Sequence, residues 1–338
     1  MLPPLTGMLV GSYPQPDWLV EPTGAMPPLR FRLVGDAFAE GVRRAREAAV
    51  RDQIEAGLGV IGDGEQDRVS YQHYFLQGMT GLDTSPHAVG PPAPVQVSPP
   101  RVVGPLALAE PLAVQAVAPL RALTDRPIKL TVVGPFTLSF RIVDDYYRDR
   151  ARFGAALADV INGELRALQD AGCDIVQIDE PALTARPHDP ETIHWGLSLV
   201  DRALAGITVP VVMHLCFGYA LVVREKSAAR AETTYHTILP LLRDARPDIL
   251  SLELEQPNVD LSVLARCPGK QFLLGLLDLS REAIEAPEQI AGRIHEAARH
   301  VPLESLLIGP DCGMKFLPRS VAKAKLAALT AAAALVRP

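Results

Sequence analysis

Eight short apolar runs, each ending in or just before a polar or chemically reactive residue, recur along the chain with helix-periodic segments between them. They are Met8–Ser12, Val60–Glu65, Lys129–Pro135, Ile175–Asp179, Val211–Cys216, Ile249–Glu253, Phe272–Asp278 and Leu306–Asp311. Near-continuous apolar strands alternating with helices are covered on both faces, the pattern of a parallel sheet. Eight such units close a barrel, and 338 residues suit one barrel with insertions. The expected fold is α/β, a (β/α)8 TIM barrel that takes residues 1–338 as a single unit.

The intervening segments carry helix signals. Arg150 to Ala171 has apolar residues at helical spacing and stops at Gly172. Pro287 to His300 opens with proline in the first turn and Glu288 beside it. Ser320 to Val336 carries an Ala/Leu stripe suited to the last helix outside the sheet. Gly81 to Pro111 breaks the rhythm. It is rich in proline, and Val95-Gln96-Val97 and Arg101-Val102-Val103 alternate like a short hairpin, so it reads as an excursion after the second strand.

Composition narrows the function classes. Hydrophobic residues at 48% and charged residues at 21% supply a large core. A net charge of −6, without a basic run, excludes a nucleic-acid footprint. The first residues lack a charged region followed by an apolar one. The apolar tail Leu326 to Val336 is too short to span a bilayer, so a cytoplasmic location with no membrane partner is expected. Four cysteines in a chain of this size are no disulfide framework, and Cys173 and Cys267 read as buried free thiols.

Barrel sites lie at the C-terminal ends of the strands. Ser12, Glu65, Asp179, His214 with Cys216, Glu253 and Cys312 all fall there. His214 and Cys216, two apart on one strand, share a face. Glu253 closes an apolar strand, where a charge is costly to bury unpaired. Glu255 shares its face but lies beyond the run. One imidazole, one carboxylate and two thiolates make a tetrahedral set whose softness favours zinc over magnesium or calcium. Residue chemistry alone leaves open a satisfied core histidine and cysteine, Glu253 paired with an arginine, and an inert thiol at Cys312.

These residues stand among longer motifs: Val10-Gly-Ser-Tyr-Pro14, Gly62-Asp-Gly-Glu65, Val133-Gly-Pro-Phe-Thr137, Gln177-Ile-Asp-Glu-Pro181, His214-Leu-Cys216, Gly275-Leu-Leu-Asp278 and Pro310-Asp-Cys-Gly-Met-Lys315. In order and spacing, over nearly the whole length, the chain resembles the catalytic C-terminal barrel of the cobalamin-independent methionine synthase family. Larger members carry an additional N-terminal barrel, so the resemblance is to the short, single-barrel ones. It implies a Zn2+ cofactor held by His214, Cys216, Glu253 and Cys312. It also implies homocysteine held through its ammonium by Glu65 and Asp179, marked as the catalytic pair, with its carboxylate near Gly11 and Ser12. The activity implied is transfer of a methyl group from a methyl folate or methyl-corrinoid donor to the homocysteine thiol, forming methionine. The partners implied are small molecules, with a partner protein as one route for the methyl group.

Two positions depart from the family. Arg141 stands where folate-using members place a tryptophan against the pterin, and Asp278-Leu-Ser280 stands where they have Asp-x-His. Both bear on the donor and leave the thiol half intact. Other readings make distinct demands. Similar single-barrel enzymes alkylate coenzyme M, whose sulfonate calls for positive charge, whereas Glu65 and Asp179 have the wrong sign. A zinc hydrolase would be weakened as a Lewis acid by two thiolates, and a non-catalytic zinc protein would rarely draw ligands from four strand ends around a cavity.

Overall fold

The computed structural model describes residues 1–23, 29–85, 99–185, 189–219 and 226–336. Six parallel strands lie side by side in the order Leu306–Gly309, Gln271–Gly275, Ile249–Leu252, Val211–Leu215, Ile175–Asp179 and Lys129–Val133. The two remaining expected strands are reduced to isolated bridges. Gly7 pairs in parallel with Ile308, and Ile61 with Ile128. The Gly7 carbonyl accepts from the amides of Gly59, at 2.9 Å, and Val60, at 3.2 Å, which joins these two segments to each other. The ring is thereby closed, and the chain is an α/β barrel. Gly62 and Gly64 interrupt the second segment and Gly59 immediately precedes it, and glycine weakens a strand interior, so a regular ladder does not form there.

Alternation along the strands sorts the interior into layers. Met8, Val60, Ile175, Val212, Ile249, Leu273 and Leu307 pack together as an apolar plug. Two residues further on, the same faces carry Gln177, His214 and Ser251, and two beyond those Asp179, Cys216 and Glu253. The intervening Val176, Ile178, Met213, Leu215, Leu250 and Leu252 face outward into the main core. The apolar floor is therefore built by the same strands that raise polar groups to the rim.

The expected helices form at Arg150–Asp170, Pro287–Ala297 and Arg319–Val336. The first is capped by Asp149, whose side chain accepts from the Arg152 amide at 2.9 Å. Gly35–Glu55 is a helix of 21 residues that the sequence did not announce, because its buried stripe consists largely of small residues set among many charges. The run expected at Lys129–Pro135 ends at Val133, and Pro135 instead opens the short helix Pro135–Ser139.

The excursion is paired differently from expectation. Arg101–Leu108 is antiparallel to Met79–Asp83, and Arg101 and Val102 pair in parallel with Val143 and Asp144. Val95–Val97 lies outside the described residues. Among those described, no helix is long and apolar enough to cross a membrane.

Candidate active site

At the strand ends, Gly11, Ser12, Glu65, Tyr71, Asp179, His214, Cys216, Tyr219, Cys312 and Gly313 line one pocket. All of the residues predicted for the site do so except Glu253.

One corner is rich in soft donors. The Cys216 and Cys312 sulfurs are 3.8 Å apart. His214 is buried, and its Nδ1 lies 2.9 Å from Ser251 Oγ, which fixes the ring. Its Nε2 is buried with no hydrogen-bond partner among the described residues. One donor atom from each of His214, Cys216 and Cys312 lies within 4.8 Å of the others. An orphaned imidazole nitrogen beside two thiols is costly unless something binds it, so this set fits a soft cation. The Cys312 hydrogen bond, helped by His214, holds the Cys216 thiol well below its ordinary range, and the same bond pushes Cys312 up. The pair thus favours a single thiolate.

Glu253 sits at the end of its strand as expected but is not brought together with these three. Its carboxylate accepts from the Phe217 amide at 2.7 Å and forms an ion pair with Lys226. Lys226 also donates to the Gly218 carbonyl at 2.6 Å. Burial pushes the Glu253 carboxyl up to about 8, against the pull of Lys226. Glu255, the competing carboxylate, pairs with Arg293 at 3.3 Å.

The same pocket also carries acidic groups, with Asp179 paired in register beside His214. Glu65 occupies the left-handed region with φ 53°. Its Oε1 accepts from Thr131 Oγ1 at 2.8 Å, while Oε2 is buried without a hydrogen-bond partner among the described residues. Arg68, almost fully buried, stands 4.0 Å from the same carboxylate and donates to the Thr131 carbonyl at 2.9 Å. Asp179 Oδ1 accepts from Gln177 Nε2 at 2.7 Å, and burial raises its carboxyl to about 6. Gly11 is required for this approach: a Cβ there would lie 2.6 Å from Glu65 Oε1. Likewise a Cβ on Gly313 would lie 2.2 Å from Ser12 Oγ.

Two carboxylates that the sequence reading passed over hold the loops in place. Glu180 accepts from the Phe136 amide at 2.9 Å, the Thr137 amide at 2.7 Å and the Thr137 hydroxyl at 2.6 Å. It therefore locks Gly134-Pro-Phe-Thr137 onto the strand of Asp179. Asp311 accepts from the amides of Leu254, Glu255 and Gln256 at 3.1, 2.9 and 2.6 Å, which fixes the chain leaving Glu253. The available signal was their position beside the residues already chosen, Asp179 and Cys312.

The positions that depart from the family stand apart from this pocket. Arg141 is exposed and does not line it. Tyr146, an aromatic residue five positions beyond Arg141, is about half exposed and meets Tyr147 edge to face with ring centres 5.0 Å apart. Asp278 accepts from the Ser280 amide at 2.8 Å and hydroxyl at 2.6 Å, closing that altered motif on itself. Cys173 and Cys267 are buried free thiols, and burial pushes both up to about 11.

Comparison with known proteins bears on the same site. The family described as cobalamin-independent synthase, catalytic domain, matches residues 5–335. A methionine synthase of Saccharolobus solfataricus is 30% identical over 99% of this chain and 96% of that protein. One from Pyrococcus abyssi is 29% identical over 99% of this chain and 94% of that protein. The solved structure of a B12-independent methionine synthase from Shewanella sp. W3-18-1, in complex with selenomethionine, superposes with a TM-score of 0.88 at 30% identity, covering 99% of this chain and 98% of that one.

Proposed function

The chain belongs to the cobalamin-independent methionine synthase family, and on that premise we propose that it is a zinc-dependent methyltransferase whose acceptor is the thiol of homocysteine. The donor is a methyl folate or a methyl-corrinoid, and the product is methionine. The observation that carries this reading is one pocket lined both by two thiols and an imidazole with an unpartnered nitrogen and by two carboxylates.

His214, Cys216 and Cys312 would hold the metal, and Glu253 would be a further donor once released from Lys226. When bound, zinc converts a thiol of ordinary pKa, about 8.5, into a thiolate at neutral pH. Glu65 and Asp179 supply negative charge to the substrate ammonium, while the side-chain-free backbone at Gly11, with Ser12, admits its carboxylate. Tyr71 and Tyr219, whose ring centres are 6.1 Å apart, wall the pocket and limit water. The acceptor sulfur forms a bond to the methyl carbon as the bond to the donor breaks. The electron pair of that bond stays on the donor, and on the nitrogen of a folate it takes up a proton.

The acidic groups speak against an acceptor that ends in a sulfonate and has no ammonium. Zinc-loaded protein assayed with homocysteine, against methyl folates of different glutamate lengths and against methylcobalamin, tests the reading. Methionine formed from any of these donors supports it. No methionine from any of them, with zinc in place, overturns it for a donor delivered free.

A further inference from the structure

Lys129 lies inside the barrel, buried, in register with Ile175 of the apolar plug and two layers below the rim. Its ammonium donates to the Val10 carbonyl at 2.7 Å and to Gln177 Oε1. The Gln177 amide is itself fully buried, and its Nε2 donates to Asp179 Oδ1 at 2.7 Å. A primary amide has one accepting and one donating end, and by itself nothing decides which end faces a carboxylate. An ammonium has only donors. Lys129 therefore forces Oε1 toward itself and leaves Nε2 for Asp179. Burial lowers the Lys129 ammonium to about 8, with Asp179 and Glu65 pulling the other way, so it remains a donor at neutral pH.

We infer that Lys129 is a positioning residue for amino-acid recognition: through Gln177 it presents Asp179 as a hydrogen-bonded carboxylate facing the pocket, and through Val10 it anchors the strand end that carries Gly11 and Ser12. This rests on the proposed role of Asp179 toward the substrate ammonium. One buried cation thereby ties together the two places where the charged ends of an α-amino acid would sit, although it reaches neither end itself. If the amide were free to turn, its oxygen would meet Asp179 and repel it.

The test uses the zinc-loaded protein and two ligands, homocysteine and 4-sulfanylbutanoate, which has the same thiol and carboxylate but no ammonium. Calorimetric titration should show that the unmodified protein prefers homocysteine. Lys129→Met should weaken homocysteine by about tenfold or more, the scale of a hydrogen bond to a charged group. It should weaken 4-sulfanylbutanoate clearly less, because only the Val10 anchor bears on a carboxylate, and it should leave zinc content unchanged. Gln177→Met, which keeps the Lys129 bond to Val10, should reproduce the loss and serves alone where Lys129→Met does not fold. In the double variant the two losses should not add. Equal weakening of both ligands would mark Lys129 as mere barrel filling, and no weakening of either would also overturn the inference. If the unmodified protein does not prefer homocysteine, the role of Asp179 fails first and the inference falls with it.

Discussion

Cys216 and Cys312, 96 residues apart in the chain, bring their sulfurs to 3.8 Å from each other at the ends of different barrel strands. Beside the unpartnered His214 Nε2, this pair should bind about one zinc per chain. Cys216→Ser or Cys312→Ser removes a ligand and a charge together and should lose most of the metal. Elemental analysis checks this, and full occupancy in both variants would sink the assignment. Chelation followed by mild oxidation should also lower the titratable thiols of the unfolded protein from four to two, because only these two sulfurs are close enough to join.

Glu253 should matter less than either cysteine, since its carboxylate is already engaged by Lys226 and the Phe217 amide. Glu253→Gln is expected to weaken zinc by about ten- to a hundredfold, the range typical of groups that support a metal site. Lys226→Met, by freeing the carboxylate and removing a competing cation, should tighten it. Chelator competition separates these outcomes. A loss in Glu253→Gln as large as in Cys312→Ser would mean that the Lys226 pair does not hold this donor back.

Charge at Asp179 should govern homocysteine affinity. Its carboxyl is raised to about 6 by burial, so it is ionised above that pH and neutral below. Affinity should be flat at neutral pH and fall as the pH drops through about 6, and Asp179→Asn should abolish that limb. Asp179→Asn and Glu65→Gln should each weaken homocysteine while zinc stays. Unchanged affinity in both would mean that the acceptor is not an α-amino thiol held this way.

Gly134→Ala should destabilise the fold by about 1–3 kcal/mol, as overpacking does. The added Cβ would lie 2.1 Å from the Glu180 carboxyl, which is pinned by three hydrogen bonds. Urea unfolding reads this directly, and a stability equal to the unmodified chain would show that Glu180 can withdraw without cost.

Methyl folate alone should be a poor donor. Arg141 is exposed and outside the pocket, so no aromatic platform stands at that position. Stacking of this kind is worth about 1–3 kcal/mol by analogy with nucleic-acid bases, so affinity should be about 5- to 150-fold weaker than with a tryptophan. Arg141→Trp should recover part of it. Efficient turnover at micromolar methyl folate, with no corrinoid and no partner protein, would refute the expectation.

Period-two alternation and the sequence order of the eight runs were enough to determine the barrel, the inward face of His214 and Cys216, and the rim position of Asp179, because these depend on local geometry along each strand. Cys312 and Glu65 were legible for the same reason: each follows an apolar run whose end is marked in the sequence, although the run before Glu65 pairs only through an isolated bridge. What the tertiary structure decided depends on contacts between strands distant in the chain. Glu253 and Lys226 are linked across a loop, so the expected fourth ligand is held apart from the other three. Arg101–Leu108 found its partner in Met79–Asp83, as alternation alone specifies a face but not a neighbour. Glu180, Asp311 and Lys129 look like ordinary charged residues until folding places amides, a carbonyl and a glutamine around them. A buried charge is defined by what surrounds it, and that becomes visible only once the barrel has closed.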